Sequence, residues 1–255
     1  MAALARRKKW ANPQKAALKD LITSERLEPY RNATVTKTDE AALGLYLWNV
    51  DLSSALYADI ASVEIFLRNA IDQQLRELFN KPQWYLDSSG AFIREIGDRA
   101  ISGPQTAQRW LGRNQPLSAH RPGAVVAELT LGFWVGLLEA NDKRNGILLD
   151  YASTLWLPTG QTGKGLRFGF PGLAQPSRRT LHRHVALLHE TRNRIAHHEP
   201  IFQGVRRKGA SVSDPHVRPD QVFEDLRSVA AALGDSALEW IDKTSRTKSV
   251  LIRSP

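Results

Sequence analysis

Between Ser53 and Phe79, Leu56, Ile60, Val63, Leu67, Ala70, Ile71, Leu75 and Leu78 recur at steps of three and four. That spacing lays an apolar stripe along several turns of one helix face. Asp51 is the expected N-cap of this helix, and Pro82 closes it. Glu64 and Arg68 lie four residues apart beside the stripe, as do Arg68 and Asp72, so either pair can close across a turn. A solvated flank is the plainer reading of the same charges.

The rest of the chain also reads as helix and loop. A helix is expected over Pro13–Glu28, a loop over Tyr30–Thr38, and a second helix from Thr38 to Val50 with Asp39 and Glu40 at its positive end. Trp84–Ser89 reads as a turn. Ala91–Ile101 and Pro104–Leu111 read as two short helices, the second with proline at its first position. Ala124–Ala140 reads as one apolar helix, in which Gly132 and Gly136 permit close packing against another. Asn141–Asn145 is a polar turn, and Ile147–Leu157 an apolar helix or irregular segment. A long loop, 158–176, leads to a helix capped by Ser177, running to His197 and stopped by Pro200. A basic loop covers 204–219, helices follow over Pro219–Leu233 and Asp235–Asp242, and Lys243–Pro255 is a basic tail. With no internal repeat, heptad or alternating strand run, the chain reads as all-α and single-domain over 1–255. Residues 1–37 form a basic segment with a peripheral helix, 38–242 the core and 243–255 the tail.

The formal charge of +9 and pI near 10.0 favour an anionic partner, nucleic acid before a membrane surface. No cysteine is present, which excludes disulfides and cysteine-zinc sites. No apolar run approaches the ~20 residues of a membrane span, and no apolar segment follows the basic start, so the expectation is cytoplasmic and without membrane contact. Gly160–Gly165 imitates a phosphate-binding loop but fails it. Pro158 stands where the first glycine belongs, Gly165 follows Lys164 in place of Ser or Thr, and no strand precedes it.

Chemically active side chains concentrate in Glu190-Thr191-Arg192-Asn193-Arg194-Ile195-Ala196-His197-His198-Glu199-Pro200. Leu181, Val185, Leu188 and Ile195 form the buried stripe of this helix, and Arg192 interrupts it. A guanidinium there needs a carboxylate, a solvent cleft or a subunit interface to face. Asn193 and His197 sit four apart on a neighbouring face. Arg192 and His197 are about 140° apart around an ideal helix, so their convergence requires fraying before Pro200. His197, His198 and Glu199 do not suggest zinc, because consecutive histidines diverge. No metal and no cofactor is expected.

The phrase Arg192-Asn193-x-x-Ala196-His197-His198-Glu199, together with Ser62-Val63-Glu64-Ile65-Phe66-Leu67-Arg68-Asn69-Ala70-Ile71, resembles the Abi-like (abortive infection) proteins of the HEPN superfamily. The resemblance spans roughly Thr38 to Phe202. It implies an all-α HEPN-like helical bundle, here with additional peripheral helices and long loops. Such bundles are usually dimeric and often act as metal-independent ribonucleases in phage defence or as toxins. RNA of host or phage, a homodimer with a composite active site, and an antitoxin or regulatory partner are the implied associates. Arg192 and His197 match the motif's two fixed positions, and Asn193 the polar residue after the arginine. Glu64, Arg68 and Asn69 match the helix that lines the same cleft, Glu64 as a partner for Arg192. Glu190 and His198, flanking the motif, are supporting candidates.

The residues suit that chemistry. Cleavage by 2′-hydroxyl attack on phosphorus needs a base, an acid for the leaving 5′-oxygen and positive charge on the phosphate. Histidine can fill either proton role and arginine clamps phosphate bidentately. Asn193 is placed to orient His197 or the phosphate. One histidine cannot be base and acid in the same step; a symmetric dimer sharing two copies of His197 supplies both. A non-catalytic helical module binding nucleic acid or a partner is the alternative.

Overall fold

In the computed structural model, which describes residues 17–18, 20–86, 96–112, 115–139, 141–144, 147–151, 156–157, 166–167 and 178–255, helices α1 (Ser24–Ala33) and α2 (Asp39–Phe79) come first. Then follow α3 (Arg99–Leu111), α4 (Pro122–Glu128), α5 (Leu131–Leu137), α6 (Arg178–Ala196), α7 (Pro219–Leu233), α8 (Asp235–Thr244) and α9 (Thr247–Leu251). Two small strand pairs lie between α5 and α6: β1 (Asn141–Arg144) antiparallel to β2 (Ile147–Asp150), and β3 (Trp156–Leu157) parallel to β4 (Leu166–Arg167). The fold is all-α in class.

The two helices expected over Thr38–Val50 and Ser53–Phe79 are one helix of 41 residues. Thr38 is its N-cap, accepting the Ala41 N–H, and Asp51 lies inside it. No proline or glycine interrupts Asn49–Ser54, and the buried stripe runs through it as Leu45, Asn49, Leu52, Leu56, Ile60 and Val63. Asn49, a polar residue on that stripe, occupies a core position because its Oδ1 accepts the N–H groups of Ile201 and Phe202 at 2.9 and 3.0 Å. Asn80, left-handed at φ 50°, ends the helix just before Pro82. The Arg68–Asp72 pairing does not form. Asp72 instead binds Arg76 at 2.7 Å and accepts the Trp84 indole N–H at 2.8 Å.

Other boundaries also move. Residues 13–16 of the first expected helix lie outside the described residues; downstream, Thr23 (φ 72°) breaks the helix and N-caps α1, which extends into the expected Tyr30–Thr38 loop. Residues 91–95 are likewise outside the description, and Pro104 lies within α3 rather than starting a new helix. The apolar 124–140 segment is two helices, because Thr130 is extended and caps α5 through Phe133 N–H. The Leu129 carbonyl freed by that break accepts the buried Trp134 indole N–H. Gly132 faces His189 of α6, and Gly136 faces the Arg99 guanidinium. Within the segment expected as Ile147–Leu157, Ile147–Asp150 is strand β2, with Ile147 opposite Arg144 of β1, and Trp156–Leu157 is strand β3; residues 152–155 lie outside the described residues. The Ser177 cap falls outside the described residues, as does most of 158–176.

The basic tail is not free. It forms α9, whose Thr247 and Val250 are buried on α2. Ser245 and Thr247 hydroxyls both donate to the buried Asp59 carboxylate at 2.6 Å, and the Trp48 indole donates to the Val250 carbonyl at 2.9 Å. Burial pushes the Asp59 carboxyl up, against the hydroxyl donors that pull it down. Within the described residues no helix is long and apolar enough to cross a membrane.

A second buried carboxylate pins the 204–219 loop. Asp225 of α7, 3% exposed, meets Arg207 at 3.0 Å, His184 of α6 at 3.1 Å and the Gln221 amide at 3.2 Å. Burial alone would raise this carboxyl, but the bonds from His184, Arg207 and Gln221 outweigh it and hold it at about 2. A carboxylate depressed below its ordinary 3.8 stabilises the fold above that pH and loses the contribution as pH falls through about 2. Asp225→Asn should therefore cost about 2 kcal/mol at neutral pH. It should also flatten the acid limb of stability, as measured by urea unfolding across that range.

Candidate functional site

The motif lies on the second half of α6, which runs antiparallel to α2. Going up α6, Arg192 is level with Glu64 of α2, whereas His197 is level with the earlier residues Asn49–Tyr57. Thr191, fully buried, anchors this half by donating its hydroxyl to the Leu187 carbonyl at 2.8 Å. α6 ends at Ala196 with paired reverse bonds, His198 N–H to Ile195 O and Glu199 N–H to Arg194 O. This closure caps the last carbonyls and puts His198 in the left-handed conformation at φ 58°. The helix therefore stays regular through the motif, and no fraying draws Arg192 and His197 together.

Arg192, half-buried, faces Glu64 and Arg68. Burial raises the Glu64 carboxyl, opposed by the positive charges of Arg192 first and Arg68 second. The Nε groups of both arginines are buried and lack an acceptor among the described residues. Two guanidinium groups converging on one carboxylate leave a positive charge uncompensated, and more of it when Glu64 takes a proton. This is the setting an arginine on an apolar stripe requires.

Asn193 does not reach His197. Its amide Nδ2 lies 3.3 Å from His189 Nε2, one turn earlier. With Asn193 donating there, His189 carries its proton on Nδ1, which stands 4.0 Å from Glu190. Burial holds the His189 imidazole low, against the pull of Glu190 and with the push of Arg192, so the ring is neutral. Glu190 thus serves His189 rather than the Arg192 cluster. Asn69 is exposed on α2, away from these contacts.

His197 is exposed and lines a cleft of about 560 Å³ formed by α1, α2 and the end of α6. Arg192 is not among its lining residues. Tyr30 makes the back wall, stacked on Phe202 with centroids 4.9 Å apart and edge-on to Tyr46 at 5.3 Å. Burial pushes the Tyr30 phenol up to about 12, so it stays neutral. Arg26 of α1 donates to the His198 carbonyl, tying the N-terminal helix to the motif. The helix expected to be peripheral is therefore a wall of the candidate site.

A second helical stripe connects the cleft to the arginine cluster. Tyr46, Val50, Ser53, Tyr57, Ala61, Glu64 and Arg68 follow steps of four, three, four, four, three and four on α2. Tyr57 and Glu64 are thus separated by two turns, about 10 Å. This periodicity was available in the sequence, but the apolar stripe beside it is stronger and the supposed boundary at Asp51 cut it. Arg26 and Tyr30 carried no such signal.

Comparison with known proteins returns no match: no family profile, no characterised protein and no solved structure is significantly similar to the chain. Among the described residues no group of three His, Asp or Glu side chains converges as a metal site would require.

Arg192→Ala should raise the Glu64 carboxyl further, by removing the larger of the two charges that oppose burial; carbon-13 NMR titration of the side-chain carboxyl reads this directly. An unchanged or lower value would show that Arg192 does not act on Glu64. His198→Gly should stabilise the fold by roughly 1 kcal/mol, since glycine adopts the left-handed conformation without the Cβ clash. Thermal unfolding of the two forms measures that gain.

Proposed function

We propose that the chain is a metal-independent RNA endonuclease of the bacterial abortive-infection or toxin type. The observation that carries this reading is one seam between antiparallel α2 and α6. It bears a half-buried cation cluster, Arg192 and Arg68 about Glu64, and an exposed imidazole, His197, at the capped helix end. The cluster suits a phosphate, whose oxygens can take the guanidinium N–H groups bidentately. His197 suits proton transfer at the 2′-hydroxyl or at the leaving 5′-oxygen. Cutting by 2′-hydroxyl attack leaves a 2′,3′-cyclic phosphate and a 5′-hydroxyl.

Within one chain the arginine cluster and His197 lie on different parts of the seam, and one imidazole cannot be acid and base together. A homodimer that brings two copies of His197 to one phosphate answers both difficulties, and the exposure of His197 leaves it free to be shared. Asn193 then acts through His189 rather than as a direct catalytic group. RNA of host or phage is the substrate on this reading, with an antitoxin or regulatory partner restraining it in the cell.

The separation of Arg192 from the His197 cleft favours one other reading, a non-catalytic helical module that binds nucleic acid or a protein partner. RNA cleavage in EDTA separates the two. The nuclease should cut with a 2′,3′-cyclic product, and His197→Ala should lose at least about 100-fold in rate, the scale of acid–base catalysis. Cleavage unchanged by that substitution would remove the histidine from the mechanism. Binding that falls steeply with salt, without cleavage, would establish the module.

A further inference from the structure

We propose that the cleft between α1, α2 and the end of α6 is a nucleoside subsite, in which one base of single-stranded RNA stacks on the ring of Tyr57. The inference deepens the nuclease reading and rests on it for the identity of the ligand; its own support is the construction of the cleft.

The cleft, about 560 Å³, falls in the size range of small-ligand sites. Its back wall is fixed, because Tyr30 is 1% exposed and locked between Phe202 and Tyr46. Tyr57 is different. It stands on the same lining, 42% exposed, with no ring partner among the described residues. An aromatic face held on a rigid helix but left open is what a base stacks on, and stacking tolerates any base.

The polar groups match the rest of a nucleoside. Ser53 and Ser54 line the cleft from α2, and their hydroxyls make no hydrogen bond among the described residues, leaving a donor and acceptor each for a base edge or ribose. Arg26 brings positive charge to the rim through its bond to the His198 carbonyl. The lining carboxylate, Glu199, is engaged by Arg194 at 3.4 Å.

The stripe on α2 also gives the strand a direction. From Tyr57 it passes the small side chain of Ala61 and reaches Glu64 and Arg68 about 10 Å away, where Arg192 waits. A base seated at Tyr57 would place its own phosphate near His197 and send the neighbouring backbone toward the two arginines. The surplus of basic residues, a net +9, supports a polyanion as the occupant.

The test uses the full chain and two probes of equal length and phosphate number, one a single-stranded oligonucleotide without 2′-hydroxyls and the other its abasic counterpart. Fluorescence anisotropy should show the base-bearing probe binding roughly 5- to 100-fold tighter, the range of one base–aromatic stack. Tyr57→Ala should erase most of that preference and Tyr57→Phe should keep it, which separates loss of stacking from loss of fold. Equal binding of the two probes by the wild type would overturn the subsite. So would a preference that survives Tyr57→Ala, including the case in which that variant instead weakens self-association because Tyr57 meets a second copy of the chain. The nuclease reading fails separately. A Tyr57-dependent base preference without RNA cleavage keeps the subsite and discards the nuclease, and His197-dependent cleavage without base preference does the reverse.

Discussion

Burial of one face of α2 is the constraint on which the rest of the molecule depends. At 41 residues the helix is about 60 Å long, and its stripe from Leu45 to Leu75 is almost wholly withdrawn from solvent. No single neighbour can cover so long a face. α1, α5, α6, α7, α8 and α9 therefore all dock against it. The chain is mostly helical because each of these elements has one apolar face to bury, and α2 offers the surface.

Polar residues set into that surface decide where the irregular segments go. Asn49 takes the N–H groups of Ile201 and Phe202, which would otherwise be unpaired where the chain turns after Pro200. Asp59 collects two hydroxyls of the C-terminal segment, and Asp225 holds Arg207 and His184. A buried carboxylate or amide without partners would cost several kcal/mol, so each of these groups specifies its partner closely. This gives segments that look like a basic loop and a basic tail fixed positions against the core.

The same logic shapes the candidate site. Arg192 interrupts an apolar stripe, and the interruption was readable because a guanidinium there demands a charge or polar group to face; in the fold its positive charge acts on the Glu64 carboxyl across the seam. Asn193 was not readable in the same way. At four residues' distance it has two neighbours on its helix, His189 before it and His197 after, and side chains on a helix lean toward its N-terminus. It met His189. The cleft beside His197 escaped the sequence because it needs α1, whose Arg26 and Tyr30 lie more than 160 residues before the motif. Only chain closure brings them to it.

The all-α class, the helix from Pro219, the long apolar face and the oddity of Arg192 followed from the sequence alone, since periodicity and desolvation cost are properties of local residue order. Tertiary structure decided that α2 runs unbroken through Asn49 and Asp51, that the 124–140 segment breaks at Thr130, and that the tail is part of the core. It also decided that Arg192 lies outside the cleft that His197 lines. For α2 and the tail the reason is a distant partner, Ile201 and Phe202 for Asn49 and Ser245 and Thr247 for Asp59. A polar side chain within a helix reads as an end when its partner is unknown, and its partner lies far away in sequence.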